Sequence, residues 1–133
     1  MKISVVTATF NSARTVRDTL ESVLRQTYPD VELIVKDGGS TDATLDICRE
    51  YEPRFEGRMR ILSGPDQGIY DAMNQGIEAA TGDVVGLLNS DDFYSADDIL
   101  AVVAATLEET GCDAVYGDIH YVSDKDLTRP VRY

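Results

Sequence analysis

Short apolar runs alternate with stretches of helical periodicity along most of the chain. Ile3 to Phe10 is β-branched and apolar and predicts a central strand. Val16, Leu20, Val23 and Leu24 then recur at helical spacing, with Asn11 or Ser12 placed to cap that helix and Tyr28-Pro29-Asp30 to stop it. Val31 to Lys36 predicts a second strand, followed by the turn Asp37-Gly38-Gly39-Ser40-Thr41-Asp42 and a capped helix carrying Leu45, Ile47, Cys48 and Tyr51. Pro53 and Gly57 break the chain before a third strand, Met59 to Leu62, and Ser63 to Gly68 reads as a loop. A helix is expected over 69–80, with Ile69, Ala72, Met73, Ile77 and Ala80 toward the sheet. The run from Gly82 to Leu88 is continuously apolar after Asp83, as a strand buried on both faces would be. Ser95 is expected to cap a helix reaching Thr110, with Ile99, Val102, Val103 and Leu107 inward and Gly111 ending it. Asp113 to Asp118 predicts a further strand, which Ile119 to Ser123 extends or pairs with; Asp124 to Tyr133 has no clear partner.

Alternation of strand and helix predicts an α/β fold: a mostly parallel sheet with helices on both faces. The 133 residues make one domain. A net charge of −12 argues against nucleic acid or an anionic membrane as partner, and requires a cation if the ligand is a phosphate ester. Cys48 and Cys112 have no CxxC spacing and His120 is the single histidine, so a zinc site is not expected. Both thiols fit apolar positions in a reducing compartment. No signal peptide opens the chain, and no apolar run approaches the roughly 20 residues that span a bilayer. A cytoplasmic protein is expected, working in solution or at the inner face of the membrane.

The familiar glycine fingerprints are missing. The first strand is followed by Ala8-Thr9-Phe10-Asn11-Ser12-Ala13 rather than G-x-G-x-x-G, and there is no G-x-x-x-x-G-K-[ST] loop and no G-x-S-x-G elbow. Acidic residues instead follow three predicted strands: Asp37, Asp66, and the pair Asp91-Asp92. Strand ends of a parallel sheet converge on one edge, where ligands bind. Phe10, past the first strand, is suited to packing on a base. Each acid also has a plainer reading as a turn or cap residue.

Four motifs in order carry a resemblance: Ser4-Val5-Val6-Thr7-Ala8-Thr9-Phe10-Asn11; Gln26 to Leu33 leading into Asp37-Gly38-Gly39-Ser40-Thr41-Asp42; Pro65-Asp66-Gln67-Gly68-Ile69-Tyr70-Asp71-Ala72-Met73-Asn74; and Leu87-Leu88-Asn89-Ser90-Asp91-Asp92. Through about residue 120 the chain resembles the N-terminal, donor-binding half of a family-2 glycosyltransferase of the GT-A fold. It is similar in particular to the bacterial exopolysaccharide (colanic-acid-type) enzymes. The resemblance implies an inverting transfer of a sugar from a nucleotide-diphosphate donor, a UDP-sugar favoured, to a hydroxyl of a glycan or lipid-linked acceptor. It implies a divalent metal, Mn²⁺ or Mg²⁺, held by Asp92, with Asp91 near the ribose and the ion. Ala8 and Phe10 correspond to the base-contacting end of the first strand, Asp37 to the group that reads the base, and Asp66 to the loop that approaches the nucleotide.

Three departures matter. Gly38 stands where many relatives have a second acid, and Met73 where many have a basic residue. The resemblance also places the catalytic base and the acceptor site beyond Tyr133, so residues 1–133 are expected to be a single nucleotide-sugar-binding domain cut before the acceptor half. An exposed apolar edge at the cut would favour a homo-oligomer. A non-catalytic nucleotide-sugar binding module is the alternative. A nucleotidyltransferase fits less well, because Thr9 to Ala13 supplies no glycine-rich basic loop.

Overall fold

The computed structural model describes residues 1–115 and the backbone of residues 121–123 and 126–132. Strand β1 (Ile3–Thr9) leads into helix α1 (Val16–Leu24), strand β2 (Val31–Asp37), helix α2 (Thr44–Tyr51) and a 3-10 turn at Glu52–Phe55. Strand β3 (Met59–Ser63), helix α3 (Ile69–Ala79), strand β4 (Val84–Leu87) and helix α4 (Ile99–Thr110) follow. The four strands form one parallel sheet in the order β3-β2-β1-β4. Strands β5 (Tyr121–Ser123) and β6 (Asp126–Arg132) form a separate antiparallel pair, so the last stretch does find a partner.

The period-2 geometry of β1 and β2 separates two layers. Ile3 and Val5 with Val31, Leu33 and Val35 pack on the face covered by α1, α2 and α4, through Val16, Leu20, Val23, Ile47, Cys48, Leu100 and Ala104. Residues of opposite parity face α3. There a Cβ added at Gly76 would lie 2.3 Å from Cγ1 of Val6, so the helix approaches the strand as closely as a glycine permits. Helices on both faces of a parallel sheet are thus observed.

Several expectations change. The fully buried strands are β1 and β2. β4 is an edge among the described residues, with Val85 and Leu87 39% and 52% exposed, because an apolar run does not reveal what lies beside it. In α3 only Ala72 and Gly76 are buried, while Ile69 and Ile77 are exposed. α4 starts after Asp98 rather than at Ser95 and turns Leu100, Ala104 and Leu107 inward, leaving Val102 exposed. The N-cap of α1 is Thr15, without a side-chain hydrogen bond, so neither Asn11 nor Ser12 caps it. Residues 113–115 are not strand, and the remainder of that predicted strand, with Asp118 and His120, lies outside the described residues. Cys48 is buried, its thiol pushed up to about 12 by burial and by the charge of Asp37; Cys112 is exposed and fills no apolar site.

Candidate functional site

All four parallel strands end on one side, and the loops leaving them enclose a cleft of about 930 Å³. Ala8, Thr9, Phe10, Asn11 and Ser12 come from the end of β1 and the loop after it. Gly38 comes from the turn after β2, Asp66 and Gly68 from the β3–α3 loop, Ile69 and Ala72 from α3, and Asn89, Ser90 and Asp91 from the segment after β4. Arg14 and Thr15 close the side toward α1.

The loop after β1 is fastened to both neighbours. Asn11 adopts φ 48°, a left-handed conformation that asparagine tolerates better than most residues. Its Oδ1 accepts from the Thr41 amide at 2.8 Å, and its own amide donates to Ser40 Oγ at 2.8 Å. Asn11 thus braces the chain entering α2 rather than the helix after β1. Asp42 completes that entry by accepting from the amide and hydroxyl of Thr44 at 3.0 and 2.5 Å. On the other side Ser12 Oγ lies 2.7 Å from Ser90 Oγ. The segment carrying the paired acids is held further by Thr19 of α1, whose hydroxyl donates to the Asp92 carbonyl at 2.5 Å, and by a turn in which the Asp92 amide donates to the Asn89 carbonyl at 3.0 Å.

The predicted site residues fall into two groups. Ala8, Phe10, Asp66 and Asp91 line the cleft together, Phe10 with 62% of its surface open. Asp92 is exposed beside Asp91 but outside the lining set; withdrawal from water, then the charge of Asp91, raise its carboxyl above the usual range. Asp37 lies beneath the floor with no exposed surface. Its Oδ1 accepts from Thr9 Oγ1 at 2.7 Å and Ser40 Oγ at 2.5 Å, its Oδ2 from the amides of Gly39 at 3.0 Å and Ser40 at 2.8 Å. Burial opposes ionisation there, but those donors hold the Asp37 carboxyl below the usual carboxylate range. Tyr70, Asp71 and Asn74 do not line the cleft.

Sequence reasoning read Asn11 and Ser12 only as helix caps and passed over Ser90 and Lys36. Lys36 had a readable signal, since a lysine ending an apolar strand run must find partners if it is buried. The serines had none, because their contact joins segments far apart in sequence.

The family model for "Glycosyl transferase family 2" matches residues 4–133. The chain belongs to that family. A PGL/p-HBAD biosynthesis glycosyltransferase of Mycobacterium bovis is 44% identical over 117 residues, covering 87% of this chain and 46% of the relative. The chain therefore spans less than half the length of that curated relative. Among solved structures, S. aureus TarS 1-349 in complex with UDP-GlcNAc superposes with TM-score 0.76 and 29% identity over 82% of this chain and 32% of that one. The mannosyltransferase PcManGT from Pyrobaculum calidifontis, in complex with GDP-Man and Mn²⁺, superposes with TM-score 0.73 and 28% identity over 80% and 32%. Structural neighbours of this kind place the family-2 chain in the GT-A fold. No helix among the described residues is long and apolar enough to cross a membrane.

Proposed function

We propose that the chain is the donor- and metal-binding domain of an inverting glycosyltransferase, moving a sugar from a nucleoside diphosphate to an acceptor hydroxyl in polysaccharide or cell-surface glycan synthesis. The observation that carries this reading is the convergence of Phe10, Asp66 and Asp91, from three separate strand ends, on one cleft. An exposed ring offers a platform for a base, and carboxylates flanking it can meet base and ribose donors. A UDP-sugar is the favoured donor, and a glycan or lipid-linked hydroxyl the acceptor.

A cleft lined by Asp66 and Asp91 beside Arg14 would hold a diphosphate better with a bound cation. No cluster of three or more potential ligands occurs among the described residues. Asp91 and Asp92 nevertheless fit Mg²⁺ or Mn²⁺, which take one or two carboxylates from a protein and the remaining oxygens from phosphates and water. Their adjacency supports this: withdrawal from water first, and then the charge of Asp91, raise the Asp92 carboxyl, and a cation would relieve the repulsion between the two. Bound there, the ion would neutralise charge developing on the departing diphosphate. The protein's own part is to hold the pair through Ser12–Ser90 and Thr19–Asp92 while the loop after β1 presents Phe10.

Thermal unfolding with UDP and with GDP, each with and without MnCl₂, tests the reading. Stabilisation by a nucleoside diphosphate that grows with Mn²⁺ is expected, by mass action on the folded state. In Asp92→Asn the Mn²⁺-dependent increment should vanish while the metal-free response stays. No response to either diphosphate under any metal condition would refute the proposal. A binding module without transfer would give the same shifts, so they test donor and metal binding and not the transfer step.

A further inference from the structure

Of the two carboxylates near the β2 side of the cleft, only one has acceptor capacity left for a ligand. An ionised carboxylate offers about four lone-pair sites. Asp37 fills its sites with Thr9, Gly39 and Ser40, the last donating twice. Asp66 accepts from the Gly68 amide at 3.1 Å on Oδ1 and from Lys36 Nζ at 3.4 Å on Oδ2, and it lines the cleft.

Lys36 is 3% exposed, at the penultimate position of β2. A buried ammonium is costly unless each of its donors is met. Its Nζ donates to the Gly64 carbonyl at 2.7 Å and the Asp37 carbonyl at 3.0 Å, and its third partner is Asp66. The lysine therefore ties the β3–α3 loop to the end of β2 and fixes where the Asp66 carboxylate stands. Gly38 supplies the space. A Cβ there would lie 2.7 Å from Asp66 Oδ2, so the Asp66 carboxylate occupies the volume a side chain at 38 would need. Gly39, its neighbour, has φ +94°, whereas Gly38 is not in the left-handed region; its lack of a side chain answers Asp66 and not backbone geometry.

We propose that Lys36 is a positioning residue that holds Asp66 in the gap beside Gly38, and that this carboxylate, delivered from the β3–α3 loop, selects the nucleobase. The proposal rests on the nucleotide reading above. With the acidic pair after β4 at the phosphate end, the base lies across β1 toward β2 and β3, where Asp66 stands. An acceptor-only group favours a base edge that presents an N–H. Uracil presents N3–H; cytosine has an unprotonated N3 in the same place and carries its donor on the neighbouring N4 amine, so a carboxylate fixed opposite N3 meets a lone pair.

Titration calorimetry of UDP and CDP in MnCl₂, on the 133-residue chain and its variants, tests this. Wild type is expected to bind UDP about tenfold or more tighter than CDP, the scale of one hydrogen bond to a charged group. Lys36→Met should bring that ratio toward one by weakening UDP and leaving CDP unchanged, an effect that general loosening of the fold would not produce. Gly38→Ala should act the same way by displacing Asp66, and should add nothing in an Asp66→Ala background. If Lys36→Met does not fold, Gly38→Ala alone and with Asp66→Ala decides. A wild type that does not discriminate, or a ratio that Gly38→Ala and a folded Lys36→Met leave intact, overturns the proposal while the nucleotide reading survives. Failure of UDP and CDP alike to bind wild type overturns the nucleotide reading and this one with it.

Discussion

Replacing Glu32 by glutamine separates what holds the sheet from what holds the ligand. Glu32 lies in β2 on the α3 face, 7% exposed, toward the opposite end of the strands from the cleft. Its Oε2 accepts from Ser4 Oγ at 2.5 Å, from the Thr81 amide at 2.7 Å and from Thr81 Oγ1 at 2.9 Å, and Lys2 Nζ lies 3.6 Å from Oε1. Ser4 Oγ in turn accepts from the Gly82 amide at 2.8 Å, in a corner where a Cβ at Gly82 would lie 2.6 Å from that oxygen. Burial alone would raise the Glu32 carboxyl, but the hydrogen bonds from Ser4 and Thr81 and the charge of Lys2 bring it to about 2, from an ordinary value of 4.5. At 1.36 kcal/mol per unit, that difference corresponds to roughly 3 kcal/mol of folding stability. The folded value is depressed, so this stability is fully present above about pH 4.5 and is lost as pH falls toward 2. Glu32→Gln, measured by urea denaturation, should therefore be about 3 kcal/mol less stable than wild type at pH 7. The gap should narrow steadily as pH falls below 4.5. Nucleotide affinity of the folded variant should not change. A gap that stays constant from pH 7 to pH 3 would refute the assignment of that stability to an ionised Glu32.

Two further outcomes follow from packing and exposure. Gly76→Ala places a methyl 2.3 Å from Val6 Cγ1; overpacking of roughly 1–3 kcal/mol should outweigh the roughly 1 kcal/mol gain in helix propensity, giving a lower urea midpoint with an unchanged slope. Phe10→Ala removes a ring that is 62% exposed, so stability should hold within about 0.5 kcal/mol while UDP affinity by calorimetry falls about tenfold, the scale of one base stacked on an aromatic ring.

Where local pattern decides the structure, the sequence was readable. β-Branched runs gave the strands, and glycine, proline and aspartate gave the turns between them. The placement of acids after strand ends was enough to put Asp66 and Asp91 in a common cleft. Reading failed where a residue's state depends on a distant neighbour. Asp37 looked like a group facing a ligand; it is saturated because the β1–β2 register sets Thr9 opposite it and the turn folds Ser40 back over it. β4 looked central, yet its exposure is decided by what lies beside it. In α4 the apolar residues lie nearly all round, so periodicity could not choose Leu100 and Ala104 over Val102. Lys36 went unread as well, although a lysine ending an apolar strand run, once buried, must have partners, and it has three.

The position of β1 explains why one short loop governs the cleft. Because β1 pairs with β2 on one side and β4 on the other, the loop that leaves it is the one segment able to touch both flanking loops directly. Asn11 reaches the turn after β2, and Ser12 reaches Ser90 after β4. The two sides of the cleft are therefore set relative to each other by two consecutive residues. A chain with net charge −12 gains from such bracing, because its acids repel one another and two of them, Asp66 and Asp91, stand at the same cleft. Asp37, with no exposed surface, is folded into the scaffold by Thr9, Gly39 and Ser40, which leaves Asp66, paired with Lys36, and Asp91 as the carboxylates that line the cleft.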